Sequence, residues 1–204
     1  MTTLYYAKGT AAVAPHIMLE EIGTPYTLER LDFANKDQTS DAYLKVNPKG
    51  RVPALLTDKG ILTETPAILA YLAQMYPDTG LLPADPFDFA EAQAFNTYLA
   101  ATVHVNHAHK QRGHRWSDDP ATYPAMQAKV TENMTECARM IEAHYFKGPW
   151  VMGEQYTLCD PYLFVVNRWI VADGVDMAAF PKLTAHTHAM WQRPAVKAIM
   201  PLHE

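Results

Sequence analysis

The chain has 204 residues, 49% hydrophobic and 19% charged, so it can bury a core and is not a disordered chain. Seventeen Lys and Arg against 22 Asp and Glu give a net charge of −5, which argues against a general nucleic-acid binder or a polybasic membrane anchor. The two cysteines, Cys137 and Cys159, form no CxxC, no zinc-finger spacing and no disulfide framework, so a reducing, cytoplasmic setting is expected. The first residues, Met1 to Gly9, lack the basic-then-apolar plan of a signal peptide. Charges or prolines also break every apolar run before the ~20 residues of a membrane span.

In chain order, Thr3–Tyr6 reads as a β-prone run. Ala11–Ile22 follows with Val13, Ile17, Met18 and Ile22 at helical spacing, and Gly23-Thr24-Pro25 stops that helix. Tyr26–Phe33 is a second strand, Asp41–Val46 a short helix and Asn47–Gly50 a turn. Val52–Leu56 and Ile61–Leu62 read as a hairpin around Asp58-Lys59-Gly60, and Thr65–Met75 as the next helix. The order βαβα then ββα predicts an α/β unit with a mixed sheet.

Tyr76–Pro86 holds three prolines and a glycine in eleven residues, a stretch that suits a linker. Beyond it the chain reads as helix throughout: Phe87–His109, Ala125–Tyr145, Leu158–Ala172 and Leu183–Trp191. This predicts a helical bundle. The division expected is 1–76, a linker over 77–86, and 87–204.

Three segments carry chemistry. In Asn47–Leu55, Pro53 stands at the mouth of a strand, where it cannot donate to the ladder. A cis bond there would let Val52 offer its N–H and C=O to a bound peptide; the plainer alternative is an edge-strand proline after a turn. In Glu64-Thr65-Pro66, Pro66 fits a first helical turn. The exposed N–H groups and the Thr65 hydroxyl then suit a carboxylate, and Glu64 suits an ammonium, unless Thr65 is simply an N-cap. In Thr157-Leu158-Cys159-Asp160, Thr157 as N-cap and Asp160 at N3 form a structural capping-box variant.

These segments, in this order and spacing, resemble the cytosolic glutathione transferases. NPKGRVPAL, the ETPAI segment eleven residues beyond the Val-Pro, and the T-x-x-D box all match. The opening LYYAKGTAAVAPHI looks most like the bacterial beta class. The resemblance covers nearly the whole chain. It implies a thioredoxin-like N-terminal domain followed by an all-α C-terminal domain, with glutathione as co-substrate, no metal, and a homodimer. Carried over by position, Val52 beside Pro53 holds the cysteinyl backbone, Glu64 and Thr65 hold the γ-glutamyl end, and Lys36 lies near the glycyl carboxylate or is an ordinary solvated lysine. His104 matches a histidine near the thiol.

One departure matters. Beta-class proteins carry a cysteine in the turn before the APHI helix, and here Gly9-Thr10-Ala11-Ala12 places Ala11 there. Thiol–disulfide exchange is therefore disfavoured. Transferase chemistry needs only the thiolate of glutathione itself. Half-ionising a thiol of pKa ≈ 8.5 at pH 7 takes roughly 2 kcal/mol. One hydrogen bond to a charged group supplies about 1.5–3 kcal/mol. The Thr10 hydroxyl is the expected donor, with the Ala11 and Ala12 N–H groups or Tyr6 as alternatives. Among His104, His107, His109 and His114, helical spacing puts 104, 107 and 114 on one face, without the pairs or carboxylates of a metal site. Arg112, Arg115 and Trp116 either shape an acceptor pocket, approach the glutathione carboxylates, or form a solvated helix end. The function expected is conjugation of glutathione to an electrophilic apolar compound in detoxification. The alternatives are a non-catalytic ligand-binding protein and a glutathione-dependent isomerase or dehalogenase.

Overall fold

A computed structural model describes residues 2–204. Strand β1 (Thr2–Tyr6) leads through helix α1 (Val13–Ile22) to β2 (Tyr26–Arg30). The short helix α2 (Asp41–Leu44) is followed by β3 (Ala54–Thr57), β4 (Gly60–Thr63) and α3 (Thr65–Met75). The sheet order is β2-β1-β3-β4, with β1 parallel to β2 and antiparallel to β3. This is the thioredoxin-like arrangement expected.

The register decides what gathers at one end of the sheet. Tyr5 faces Ala54 across β1 and β3, and Ala54 faces Thr63 across β3 and β4. The segments just outside those pairs are the turn after β1, the Val52-Pro53 approach to β3, and the start of α3. They share one edge because the register puts them there.

Two strands are shorter than the sequence suggests. β2 stops at Arg30 rather than Phe33. Leu31 still donates to the Tyr6 carbonyl at 2.8 Å, but the Asp32 N–H turns to the Asp37 carboxylate at 2.7 Å. β3 begins at Ala54, not Val52, behind a cis Val52–Pro53 bond. Helix α1 begins at Val13 rather than Ala11, and residues 10–12 form a turn.

The rest is helical: α4 (Pro86–Tyr98), α5 (His104–Ala108), α6 (Tyr123–Met140), α7 (Asp160–Ala172), α8 (Pro181–Gln192) and α9 (Pro194–Ile199). The long helix expected over Phe87–His109 exists, but a π turn at Leu99–Val103 divides it just before His104. Such insertions rotate everything after them and are frequent at functional sites. Helix α9 was not legible, although Pro194 at its first position is a start signal. Segment 76–86 forms one 3₁₀ turn and then runs along the helical part, where the Leu158 N–H donates to the Leu81 carbonyl at 3.0 Å.

Helix α1 is buried from Val13 to Leu19. It packs on α3 of the N-terminal part and on α7 and α9 of the helical part, so one helix belongs to both cores. The chain end closes over it. His16 Nδ1 lies 2.8 Å from His203 Nε2, and His16 Nε2 lies 3.0 Å from the Tyr26 hydroxyl. Burial lowers both histidines, His16 to about 4 and His203 to about 3, so the pair is neutral at neutral pH. Tyr6 stacks edge-on against His203, with ring centroids 5.0 Å apart. That assigns Tyr6 to core packing rather than to a thiol.

The T-x-x-D box is half realised. Asp160 Oδ2 accepts the Thr157 N–H at 2.7 Å, but helix α7 starts at Asp160, with Cys159 rather than Thr157 at the N-cap. The other oxygen, Oδ1, accepts the Val151 N–H at 2.9 Å and sits 3.1 Å from His186 Nε2. This fully buried carboxylate joins α7, the 147–153 loop and α8. Hydrogen bonds to a charged group contribute about 1.5–3 kcal/mol each, so losing the two backbone ones together costs about 3–5 kcal/mol. Asp160→Ala is expected to lose stability in that range by equilibrium urea unfolding. A loss below about 1 kcal/mol, the worth of one ordinary hydrogen bond, would contradict this role.

Candidate active site

At the shared edge of the sheet, backbone groups are left without partners. The Arg51 carbonyl is taken by Tyr43 Oη at 2.7 Å and Asn47 Nδ2 at 2.6 Å, which pins the loop before Val52. Among the described residues nothing bonds the Val52 N–H or C=O, because the ladder starts two residues later. Val52 therefore keeps one donor and one acceptor without a partner among the described residues.

Glu64 holds φ +72°, a backbone region that non-glycine residues rarely occupy. It takes the N-cap position of α3 without a side-chain cap bond, and Thr65 is the first helical residue. Thr65 is thus no N-cap. Its hydroxyl bonds no described residue, though the residue is buried. The first-turn N–H groups of α3 have no carbonyl ahead of them, which suits a carboxylate. Lys49, a residue the sequence did not single out, ties this corner together. Its ammonium donates to Thr63 Oγ1 at 2.7 Å and to Glu64 Oε1 at 2.5 Å, leaving Glu64 Oε2 free for a ligand.

Lys36 lies in a loop held to the same corner. At Gly50, φ is +59°, and a Cβ would meet the Gln38 carbonyl at 3.0 Å, so glycine favours the close approach of the 36–40 loop to this turn. Lys36 itself is exposed and adopts a left-handed backbone, φ +57°.

The turn after β1 completes the edge. The Thr10 hydroxyl donates to the Ala7 carbonyl at 2.8 Å and accepts from the Ala12 N–H at 3.3 Å. Its proton is committed inside the turn, so it reaches a ligand only by releasing Ala7. The Ala11 N–H, by contrast, bonds no described residue, although the Ala11 side chain is buried at 4% exposure. It points from the N-terminal side of α1, where the helix dipole favours negative charge.

The helical part reaches this turn through Trp169 of α7, whose Nε1–H donates to the Gly9 carbonyl at 3.3 Å. Two histidines of α5 flank the indole. His107 stacks on it with centroids 4.8 Å apart and planes 4° apart, and His104 lies at 4.6 Å. His107 Nδ1 is fixed by the buried Asp173 at 2.7 Å, which Lys110 also approaches at 3.2 Å. The sequence grouping of His104, His107 and His114 is corrected. Helix α5 ends at Ala108, so His114 sits in a separate 3₁₀ turn, while His109 stacks on Trp116 at 3.9 Å. Among the described residues no group of three His, Cys, Asp or Glu can hold a metal ion.

The sheet order and the start of α3 define a thioredoxin-like domain followed by a helical one. The comparisons with known proteins agree. The family model described as glutathione S-transferase, N-terminal domain, matches residues 1–74. The glutathione S-transferase GstA of Escherichia coli O157:H7 is 33% identical over 198 residues, covering 95% of this chain and 94% of that protein. A glutathione transferase homologue from Sulfitobacter, crystallised with bound glutathione, superposes with a TM-score of 0.96 at 47% identity, covering 99% of this chain and 98% of that one. The bacterial beta class enzyme of Sphingomonas chungbukensis superposes at 0.80 with 30% identity, over 98% of each chain. The chain belongs to the glutathione S-transferase family.

Desolvation lowers His104 to about 4, and the charges of Arg112, His107, Arg51 and Arg115 push in the same direction. Its folded value lies below the ordinary 6.5, so His104 is neutral at neutral pH. Stability it contributes above 6.5 is lost as pH falls toward 4, because the unfolded chain takes up the proton first. By carbon-13 NMR of the imidazole, His104 is expected to remain neutral down to about pH 5 and to titrate near 4. A midpoint near 6.5 would contradict the burial and charge environment described.

Proposed function

We propose that this chain binds glutathione along the open end of its sheet, ionises the bound thiol, and transfers it to an electrophilic apolar compound. The observation that carries the reading is the set of unpartnered groups on one edge: the Val52 N–H and C=O, the Thr65 hydroxyl and the Ala11 N–H. In this reading residues 1–76 form the glutathione-binding domain, 77–86 the linker, and 87–204 the domain that walls the acceptor cleft. Val52 beside Pro53 pairs with the cysteinyl backbone. Thr65 and the start of α3 take the γ-glutamyl carboxylate, Glu64 takes its ammonium, and Lys36 approaches the glycyl carboxylate.

Ala11 stands where the beta class keeps its cysteine, so the only reactive thiol is that of glutathione. Cys137 and Cys159 are both buried in the helical part, and burial holds the Cys159 thiol well above its ordinary range. The Ala11 N–H is the first donor to the thiolate. The Thr10 hydroxyl is the second, exchanging the Ala7 carbonyl for sulfur. His104 lines the acceptor side as a neutral imidazole. Because the thiolate keeps a donor in Thr10→Ala, the bound thiol's pKa, followed by ultraviolet thiolate absorbance, is expected to rise by only about one unit, the worth of one hydrogen bond. No thiolate signal on adding glutathione to the native protein would refute the transferase reading.

A cytoplasmic homodimer completes the proposal. Exposed apolar side chains on neighbouring elements support it: Ile61 on β4, Met75 on α3 and Phe87 on α4, the last 72% exposed. No described helix is long and apolar enough to cross a membrane. Equilibrium sedimentation is expected to give twice the chain mass; the monomer mass would contradict the dimer.

A further inference from the structure

A fully buried carboxylate closes helix α7. Asp173 is the C-cap, and its side chain has no exposure. Both circumstances oppose it. Burial removes hydration, and the C-terminal end of a helix disfavours negative charge. Its partners come from several elements. His107 of α5 meets Oδ2 through Nδ1 at 2.7 Å, and Lys110, just beyond α5, lies 3.2 Å from Oδ1. Lys110 also donates to the Ala172 carbonyl, and Thr131 of α6 donates to the Asp173 carbonyl at 2.7 Å. The Asp173 N–H returns to the Trp169 carbonyl at 2.8 Å, one turn earlier on α7.

Asp173 is thus pinned through main chain and side chain, one helical turn from Trp169. His107 touches both residues. A carboxylate accepts only, so the imidazole proton sits on Nδ1, and the bond to Asp173 sets the rotation of the ring. In that setting the ring lies parallel to the Trp169 indole, with planes 4° apart and centroids 4.8 Å apart. His104, one turn earlier on α5, also packs on the indole at 4.6 Å. The π turn at Leu99–Val103 packs on α7 just ahead of these histidines, and such turns rotate the residues that follow them.

The indole held in this way makes one bond out of the helical part. Its Nε1–H donates to the Gly9 carbonyl at 3.3 Å. Among the described residues this is the one hydrogen bond that joins residues 9–12 to the helical part. The bond is long, so its strength depends on where the indole sits. The side-chain bonds of the turn are local, from Thr10 to the Ala7 carbonyl and from the Ala12 N–H to Thr10. At Gly9 itself φ is +65°, and an added Cβ would meet nothing within 4 Å, so side-chain packing does not fix that residue. We propose that Asp173 and His107 are positioning residues. By fixing the Trp169 indole they hold the Gly9 carbonyl, and with it the Ala11 N–H two residues on. The benefit to a bound thiolate rests on the transferase reading; the hold on the turn does not. Neither side chain takes part in bond making.

The test uses two readouts on the full chain. The first needs no ligand. Nitrogen-15 NMR follows the Trp169 indole N–H, assigned by its loss in Trp169→Phe, together with the Ala11 amide. In Asp173→Ala and His107→Leu, exchange of the indole proton with solvent is expected to quicken by at least about tenfold, and the Ala11 amide to shift. Unchanged exchange and an unchanged Ala11 resonance overturn the proposal, whatever glutathione does. The second readout is the pKa of the bound glutathione thiol, from ultraviolet thiolate absorbance against pH. Trp169→Phe, His107→Leu and Asp173→Ala are each expected to raise it by about half a unit or more. Because the contacts act in series, Asp173→Ala is expected to add nothing in the Trp169→Phe background. Additive shifts overturn the proposal, since Asp173 would then reach the thiol by another route. No shift in the single variants overturns it as well, and a loss of stability alone marks the pair as a tie between α5 and α7. If Asp173→Ala does not fold, His107→Leu replaces it in the cycle, at a side chain that is 22% exposed. A native protein without a thiolate signal removes the transferase reading, and the NMR readout then decides the hold on the turn by itself.

Discussion

Helix α1 is the constraint on which the rest of this structure turns. It is buried from Val13 to Leu19 because the sheet side and α7 both pack against it. A helix enclosed in this way cannot shift along its axis without opening two cores. Its N-terminus is therefore placed firmly, and with it the Gly9–Ala12 turn. Trp169 then secures that turn from the far side through the Gly9 carbonyl. The reactive edge gains its precision from burial that begins one turn away.

The same logic explains why so much of the site is backbone. The sheet register brings the ends of β1, β3 and β4 together, and the ladder stops at Ala54. Val52 is left with both polar groups unpaired, at a place where a peptide can use them. A backbone receptor reads the extended form of its ligand rather than a particular side chain. On the helical side of the turn, His107 and the neutral His104 flank the Trp169 ring. The absence of a cysteine at position 11 fits this division. In the proposed reading the sulfur that reacts belongs to the ligand, and the chain supplies only the donors that keep it ionised.

Much of this was legible in the residues. The order of elements followed from periodicity and from breakers such as Gly23-Thr24-Pro25 and the proline-rich stretch at 76–86. Val52, Pro53, Glu64 and Thr65 stood out through the order and spacing of their motifs, because each proline alone has a plainer structural use. What stayed hidden depends on tertiary placement. Lys49 could not be linked to Glu64 without the β3–β4 register, because the whole hairpin separates them in the chain. The π turn at Leu99–Val103 has no breaker to announce it, yet it sets where His104 and His107 point. Thr10 read as a donor from its position alone, and only the Ala7 and Ala12 contacts show that its hydroxyl is already engaged in the turn.

A crystal structure with glutathione soaked into the native protein tests the central claim most directly. The account expects the glutathione sulfur within hydrogen-bond reach of the Ala11 N–H, and the cysteinyl N–H and C=O paired with Val52. A sulfur lying away from the Gly9–Ala12 turn, or a peptide that leaves the Val52 groups unpaired, would contradict it.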